Sequence, residues 1–143
     1  MPTANFAHPD LTEAIIGAFY RVYNELGYGF LEKVYVNAMV MALSDAGLTV
    51  VQQAPIQVYF SGKVVGKYDA DLLVNDLISV ELKVANAISP EHEAQLLNYL
   101  KATQYEVGLL LNFSPTKAEV KRKAFSNERK GSLSWTKPPS TSK

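Results

Sequence analysis

The chain has 143 residues, 48% of them hydrophobic, which is enough for the core of one compact domain and argues against intrinsic disorder. It has no cysteine, which excludes disulfides, thiolate zinc sites and cysteine nucleophiles. No apolar run is long enough to cross a membrane, the first residues do not resemble a signal peptide, and 14 basic residues balance 14 acidic ones. We therefore expect a cytoplasmic protein with no membrane partner, and the neutral charge counts mildly against tight, autonomous DNA binding.

The first half of the chain predicts two helices followed by three strands. Apolar residues recur at helical spacing over residues 10–26 and again over 31–46, and glycines follow both segments. The pattern then changes to β-branched and aromatic residues, which predicts strands over about 48–60, 64–74 and 77–84.

The second half predicts a helix, a buried strand and a last helix. Ser89 and Pro90 are suited to the start of a helix that runs to about Thr103. The apolar run 107–113 is typical of a buried central strand, and 115–125 is predicted to be helical. The order ααβββαβ(α) predicts an α/β (α+β) fold, with helices flanking one mixed central sheet.

The predicted domain organisation has three parts. Residues 1–9 are interpreted as a flexible N-terminal arm, 10–126 as the folded domain, and 127–143 as a polar tail with a short strand at 133–135. Pro55 interrupts the first predicted strand, which indicates an edge position or a β-bulge because proline cannot donate to a sheet.

The third predicted strand carries the residues that point to chemistry. Glu81 and Lys83 are two residues apart, so their side chains should lie on the same face of the strand. The residues between and before them, Leu82 and Val80, should face a core. A central strand rarely carries a glutamate and a lysine on one face unless they form a pair or bind something.

Asp71 lies opposite Glu81 only in one hairpin register. A three-residue loop at 75–77 places Asp71 across from Glu81, whereas a two-residue loop places it across from Val80 on the other face. A shared site therefore requires an odd loop or a β-bulge in this hairpin.

Two carboxylates placed this way could hold Mg²⁺ (or Mn²⁺), which prefers oxygen ligands. Such an ion acts as a Lewis acid and lowers the pKa of its bound water, as hydrolysis of a phosphodiester requires. Asp71, Glu81 and the backbone carbonyl of Leu82 would form part of the shell, and Lys83 would orient the water or stabilise charge. The alternative is a structural ion pair between Lys83 and Glu81 or Asp71.

The spacing Asp71-x(9)-Glu81-x-Lys83 resembles the motif of the PD-(D/E)xK nuclease superfamily, with Ala70 where that motif has proline. Residues 29–35, with Gly29, Glu32 and Tyr35, resemble the GxxExxY proteins that are grouped in this superfamily. The strings VELK at 80–83 and HEAQLLNYL at 92–100 also fit that family. The resemblance covers about residues 10–125 and implies a restriction-endonuclease-like core.

The resemblance also implies roles for residues outside the hairpin. Gln95 and Tyr99 match the Q-x-x-x-Y helix motif of the RecB-like branch, where Gln95 would contact the metal-site carboxylates or phosphate and Tyr99 the nucleic-acid backbone. His92 shares their helix face and could contact phosphate, and Glu32 would complete the metal site. Each residue also has a structural alternative. Tyr99 could be a core residue, Gln95 a polar residue at the core boundary, and His92 an exposed or hydrogen-bonded residue with no role in the site. Glu32 could simply be an acid that interacts favourably with the dipole at a helix N-terminus. Asp69 is a second, lower-ranked acid.

Basic residues are concentrated in the segment 117–130. They are Lys117, Lys121, Arg122, Lys123, Arg129 and Lys130. This segment is either a solvated helix end and tail or a patch that steers phosphate, in which Lys121 and Arg122 would bind nucleic acid.

Three functional hypotheses follow from the sequence. The first is a Mg²⁺- or Mn²⁺-dependent nuclease that cuts nucleic acid, with DNA as the expected substrate and a homodimer or protein partner as an analogy from small nucleases. The second is a non-catalytic nuclease-fold subunit that binds nucleic acid or a protein in a larger assembly. The third is a hydrolase of another phosphate ester at the same site.

Overall fold

The computed structural model describes residues 8–136. Its elements follow one another along the chain as α1 (Pro9–Leu26), α2 (Glu32–Asp45), β1 (Val50–Phe60), β2 (Lys63–Val74), β3 (Ile78–Lys83), α3 (Pro90–Ala102), β4 (Val107–Phe113) and β5 (Ala118–Ala124). The first seven predicted elements are confirmed in type and order. In the described part of the chain, no helix is both long and apolar enough to cross a membrane.

The five strands form one mixed sheet in the order β1-β2-β3-β4-β5. Only β3 and β4 are parallel, and α3 connects them as the crossover, whereas the other neighbouring strands are antiparallel. Pro55 lies in β1, an edge strand of the sheet, as the missing backbone donor of proline predicts.

The last predicted helix is wrong. Residues 118–124 form β5, which pairs antiparallel with β4 from Val107↔Ala124 to Phe113↔Ala118. Ala118, Val120 and Ala124 alternate with charged residues in β5, but Arg122 breaks this alternation and six of the seven residues are half-buried, so the strand pattern is weak. The backbone of β4 needs a partner on its second side, and β5 supplies it.

The C-terminal residues that the structure describes pack onto the domain. The predicted strand at 133–135 is instead a 3-10 turn, Ser134–Thr136. Within it, the indole N–H of Trp135 donates to the carbonyl of Ala102 over 2.9 Å. Two predicted segments lie partly outside the described residues. They are residues 1–7 of the predicted arm at 1–9 and residues 137–143 of the predicted tail at 127–143.

The sheet has a large apolar core on one face and a small one on the other. Helices α1 and α2 pack on the first face, where Phe19 and Tyr35 contact Phe113 with ring centroids 4.9 and 3.9 Å apart. Helix α3 packs on the second face around a smaller cluster that includes Tyr99 and Leu100. The second face therefore leaves room beside its core for polar side chains.

Candidate active site

The loop of the β2–β3 hairpin has the odd length that a shared site requires. Residues 75–77 connect the strands, and Val74 pairs with Ile78, Leu73 with Ser79 and Leu72 with Val80. One step further in this register, Asp71 lies opposite Glu81. Asn75 and Asp76 take up the left-handed conformation of the loop, with φ of 52° and 53°.

The regular pairing of β2 with β3 ends at Asp71. Here the amide of Leu82 donates to Asp71 Oδ2 over 2.8 Å, and the amide of Asp71 donates to Glu81 Oε2 over 3.3 Å. Two carboxylates thus accept hydrogen bonds across the point where the strands separate. On the other side of β2, Gln53 lies opposite Asp71 with a φ of 50°, so the backbone of β1 is also irregular here.

The two carboxyl groups lie in an environment that opposes a negative charge on both. Burial, and then the charge of Asp71, raise the pKa of Glu81 from 4.5 to about 8. Burial also raises the pKa of Asp71, although the hydrogen bond from Leu82 and the charge of Lys83 act against it. Among the described residues, no ion pair within 4.0 Å joins Lys83 to either acid, so the structure gives the ion-pair alternative no support.

Glu32 approaches this pair from α2, of which it is the first residue. Burial, and next the charge of Asp71, raise the pKa of Glu32, whereas Lys83 lowers it. The charges of the three acids therefore influence one another, and the positive charge of Lys83 lowers the pKa of each of them.

Tyr35 fixes the loop that leads into Glu32. Its hydroxyl donates to the carbonyl of Gly27 and accepts the amide of Phe30 over 3.3 Å. The ring is fully buried and stacks on Phe113. The tyrosine of the G-x-x-E-x-x-Y segment is thus a packing residue, and its hydroxyl also holds the loop before the helix that carries Glu32.

Helix α3 and the sheet enclose a cavity of about 340 Å³ next to the carboxylates. The residues around it are Lys67, Tyr68, Asp69, Glu81, Lys83, His92, Gln95, Leu96, Asn98, Tyr99 and Leu110. Gln95, Tyr99 and His92 are therefore brought together with Glu81 and Lys83. Asp71 and Glu32 do not line this cavity, whereas Asp69 does.

The three predicted residues of α3 differ in their surroundings. Gln95 is exposed, whereas Tyr99 is buried and burial raises the pKa of its hydroxyl. That hydroxyl lies beside the hydroxyl of Ser79, and the two buried oxygens do not meet regular hydrogen-bond geometry. His92 closes a capping box with Ser89, in which its Nδ1 accepts the Ser89 amide over 3.2 Å. His92 thus has a structural role and also lines the cavity.

The two basic residues predicted to bind nucleic acid lie on opposite faces of β5. Lys121 is exposed and pairs with Leu110, which lines the cavity. Arg122 donates to the hydroxyl of Thr12 in α1 over 3.0 Å, so the structure does not bring it to the site.

Two further residues of the basic segment bind other parts of the domain. Lys123 forms an ion pair of 2.6 Å with Glu93. Lys130 is 5% exposed and donates to the carbonyls of Thr103 and Tyr105 over 2.9 and 2.7 Å.

Two positioning residues were not predicted from the sequence. Asn112 is fully buried beside Lys83 in the β3–β4 register, and its amide group bonds both backbone groups of Ala85 and the carboxylate of Glu119. Glu119 also accepts the amide of Ile88 over 3.2 Å, so the pair holds the loop between β3 and α3. The one polar residue in the apolar run 107–113 was the signal that could have identified Asn112.

Gly108 sets the distance between α3 and the sheet. A Cβ atom at this position would lie 2.7 Å from Leu96 Cδ1 and 3.1 Å from its Cγ. Any larger residue would therefore push against the helix that carries Gln95 and Tyr99.

The donor set fits a hard divalent cation in its chemistry. Asp71 and Glu81 offer carboxylate oxygens, and burial raises the pKa of both acids, so a bound cation would stabilise their charged forms. The backbone amide of Leu82 donates a hydrogen bond to Asp71, so the backbone carbonyl of Leu82, which is the third proposed metal ligand, belongs to a residue that already contacts this acid. Among the described residues, however, no group of three or more His, Asp or Glu side chains is arranged as a ready metal shell.

Comparison with known proteins agrees with this architecture. A solved structure, "Crystal structure of SSO0001", matches with a TM-score of 0.51 and 18% identity, over 66% of this chain and 50% of that one. This chain thus spans half of that protein, and the likeness concerns the fold, which is restriction-endonuclease-like. No curated protein matches. The family model described as PD-(D/E)XK nuclease superfamily matches residues 9–123, and the chain therefore belongs to the PD-(D/E)XK nuclease superfamily.

Proposed function

We propose that this protein is a metal-dependent nuclease that hydrolyses phosphodiester bonds of nucleic acid, with DNA as the substrate. The observation that carries the proposal is the reciprocal pair of hydrogen bonds that places Asp71 against Glu81 where β2 and β3 separate. Membership of a nuclease superfamily supports the same reaction class.

Each residue of the site has a role in this proposal. Asp71 and Glu81, with the Leu82 carbonyl and Glu32, would hold Mg²⁺ or Mn²⁺. When bound, the ion would supply Lewis acidity and an activated water. Lys83 would hold that water in line with the phosphorus or stabilise the charge that develops on the phosphate oxygens. Gln95 would contact the metal-site carboxylates or the phosphate, and His92 would contact the phosphate. The hydroxyl of Tyr99 is buried beside Ser79, so Tyr99 would position α3 rather than contact the nucleic acid directly.

We also propose the finer assignment to the GxxExxY proteins and to the RecB-like branch. Supporting observations are that Tyr35 holds the loop before Glu32, and that Gln95 and Tyr99 line one cavity with Glu81. Lys121 is exposed and pairs with Leu110 of the cavity lining, so we propose that it binds nucleic acid, whereas Arg122 bonds to Thr12 of α1 and has no role in this proposal.

A cleavage assay with matched variants tests the proposal. Labelled single- and double-stranded DNA would be incubated with Mg²⁺, Mn²⁺ or EDTA and with wild type, Glu81→Gln, Lys83→Met or Asp45→Asn. Asp45 is an exposed acid paired with Arg21 at the surface, so Asp45→Asn is the control for loss of a carboxylate. We expect metal-dependent cutting by wild type and Asp45→Asn, and a loss of at least about 100-fold in the site variants. Cutting that persists in both site variants would refute the proposal.

The second candidate is a nuclease-fold subunit that binds nucleic acid or a protein partner without cutting. It is favoured by the fact that both site carboxylates already accept backbone hydrogen bonds, which stabilise the pair without a cation. Wild-type protein that binds DNA in the same assay, yet leaves DNA and RNA intact with both metals, would favour this candidate.

A further inference from the structure

The β1–β2 hairpin extends beyond the rest of the sheet. β2 pairs with β3 only from Leu72 to Val74, whereas β1 and β2 pair with each other along almost their whole length. The part of this hairpin closest to α3 packs against Tyr99 and Tyr105. We call residues 57–67 the arm. Gln57 and Tyr59 at its base line a cleft with Tyr105 and Thr136, and its tip lies beyond that cleft.

The arm is a tightly closed, twisted ribbon. Ser61 and Gly62 form its two-residue turn with φ of 52° and 77°, both in the left-handed region, as the favoured hairpin turns require. The register shifts between Val58 and Tyr59, so β2 has an extra residue at Val65. A bulge of this kind increases the twist of a two-stranded ribbon. Two-stranded ribbons can enter either groove of a nucleic-acid duplex.

The charge of the arm is entirely positive. Lys63 and Lys67 are its only charged residues, and both are exposed. Lys67 also lines the cavity that contains Glu81, whereas Lys63 lies beside the turn. The two ammonium groups therefore mark a path from the tip of the arm to the proposed site.

The tip also exposes large apolar side chains. Phe60 is 72% exposed, Val65 63% and Val64 50%. Two copies joined through this tip would bring like charges of Lys63 together, and three side chains are too few for the roughly 800 Å² per partner of a stable protein interface. Proteins that bend duplexes, by contrast, insert a single apolar side chain between base steps while basic residues contact the phosphates.

We propose that the arm is a duplex-binding element, and this inference rests on the proposed nuclease function of the adjacent site. Lys63 and Lys67 contact phosphates on either side of a groove, and Phe60 packs against a base step at the tip. The substrate class of the site is then double-stranded nucleic acid, positioned so that one strand passes the cavity beside Lys67.

Binding without cleavage tests this assignment. Fluorescence anisotropy in EDTA would follow a labelled DNA duplex, or one of its strands, over a range of salt concentrations. The variants are Lys63→Gln/Lys67→Gln, Phe60→Ser and, as a charge-matched control, Arg21→Gln/Lys101→Gln, which removes two exposed basic residues outside the arm and outside the basic segment 117–130. Sedimentation and thermal unfolding of each variant would accompany the titrations.

We expect the arm lysine variant to weaken duplex binding roughly tenfold and to reduce the slope of log affinity against log salt by about 2. Phe60→Ser should weaken duplex binding several-fold with an unchanged slope, and the control should match wild type. Equal losses in arm and control variants, equal binding of the single strand, or a dimer that Phe60→Ser dissociates would each overturn the inference. Arm-dependent binding without any cleavage would refute only the proposed nuclease function, whereas cleavage that needs Glu81 but not the arm would refute only this inference.

Discussion

The two faces of the sheet differ in what they bury, and β4 shows the contrast within one strand. Val107, Leu109, Leu111 and Phe113 point into the core beneath α1 and α2. The alternate residues face α3 and include Gly108, which lets the helix approach, and Asn112, which holds a loop. The face beneath α1 and α2 thus provides most of the apolar burial. The face beneath α3 accommodates buried acids, whose charged forms are unfavourable for stability.

This contrast separates the residues that stabilise the domain from those proposed to act on a substrate. The apolar face buries side chains whose removal should cost stability without touching the site. The α3 face holds acids whose pKa values are raised by burial, which is characteristic of functional sites.

The largest effect on stability is expected on the apolar face. Phe19→Ala removes a fully buried ring that packs on Phe113, so we expect a loss of about 3–5 kcal/mol in the free energy of unfolding. Urea unfolding followed by circular dichroism measures the loss. Nucleic-acid binding by the folded fraction should be unchanged. A loss below about 1 kcal/mol would show that this core is not what stabilises the domain.

On the α3 face, stability should respond to pH through Glu81. Its pKa is raised in the folded protein to about 8, so its contribution to stability is fully present below the unfolded value of 4.5 and is lost as the pH rises to about 8. Without metal, wild type should therefore become less stable across this window, by on the order of 2 kcal/mol.

Glu81→Gln should flatten this pH dependence and be the more stable protein at pH 8, because the amide has no charge to bury. Unfolding free energies at several pH values in EDTA provide the comparison. Parallel curves for the two proteins, or a wild type that gains stability as the pH rises, would contradict the raised pKa.

A smaller effect is expected where α3 meets the sheet. Gly108→Ala places a methyl group against Leu96, which is 1% exposed and has little freedom to move, so we expect a loss of about 1–2 kcal/mol. The shift of α3 should also weaken nucleic-acid binding through the exposed Gln95.

The double variant Gly108→Ala/Leu96→Ala is the matched test of this contact. Because the smaller side chain makes room for the new methyl group, the two losses should be clearly less than additive. Additive losses would mean that Gly108 does not set the position of the helix.

Much of the fold and the central part of the site could be predicted from local patterns. Helical spacing identified α1 and α2, β-branched and aromatic runs identified β1 to β3, and a continuous apolar run identified β4, because each pattern reflects the burial of a single element. The spacing of Asp71, Glu81 and Lys83 lies within one hairpin, so it could be read from the sequence. The loop length that places Asp71 opposite Glu81 remained a condition, which the pairing of β2 with β3 meets.

The residues that could not be predicted depend on neighbours distant in sequence. Six of the seven residues of β5 are half-buried, and β5 is a strand because it pairs with the second edge of β4. Arg122 and Lys130 belong to a basic segment in the sequence, yet their partners are Thr12, Thr103 and Tyr105. Such contacts leave no periodic signal in the chain.

The central claim is that Asp71 and Glu81 form one divalent-cation site. Isothermal titration calorimetry with Mn²⁺ would compare wild type, Asp71→Asn, Glu81→Gln, Asp69→Asn and the surface control Asp45→Asn. Because the pKa of Glu81 is about 8, binding at pH 7 should also release protons, seen as an enthalpy that depends on the buffer.

We predict that Mn²⁺ binds wild type and Asp45→Asn alike. In Asp71→Asn and Glu81→Gln, the affinity should fall by more than the roughly 10–100-fold typical of residues that only support a ligand. Asp69→Asn should weaken binding less than either. Wild type that binds no Mn²⁺, or binding that is lost in Asp69→Asn but kept in Asp71→Asn, would contradict the account.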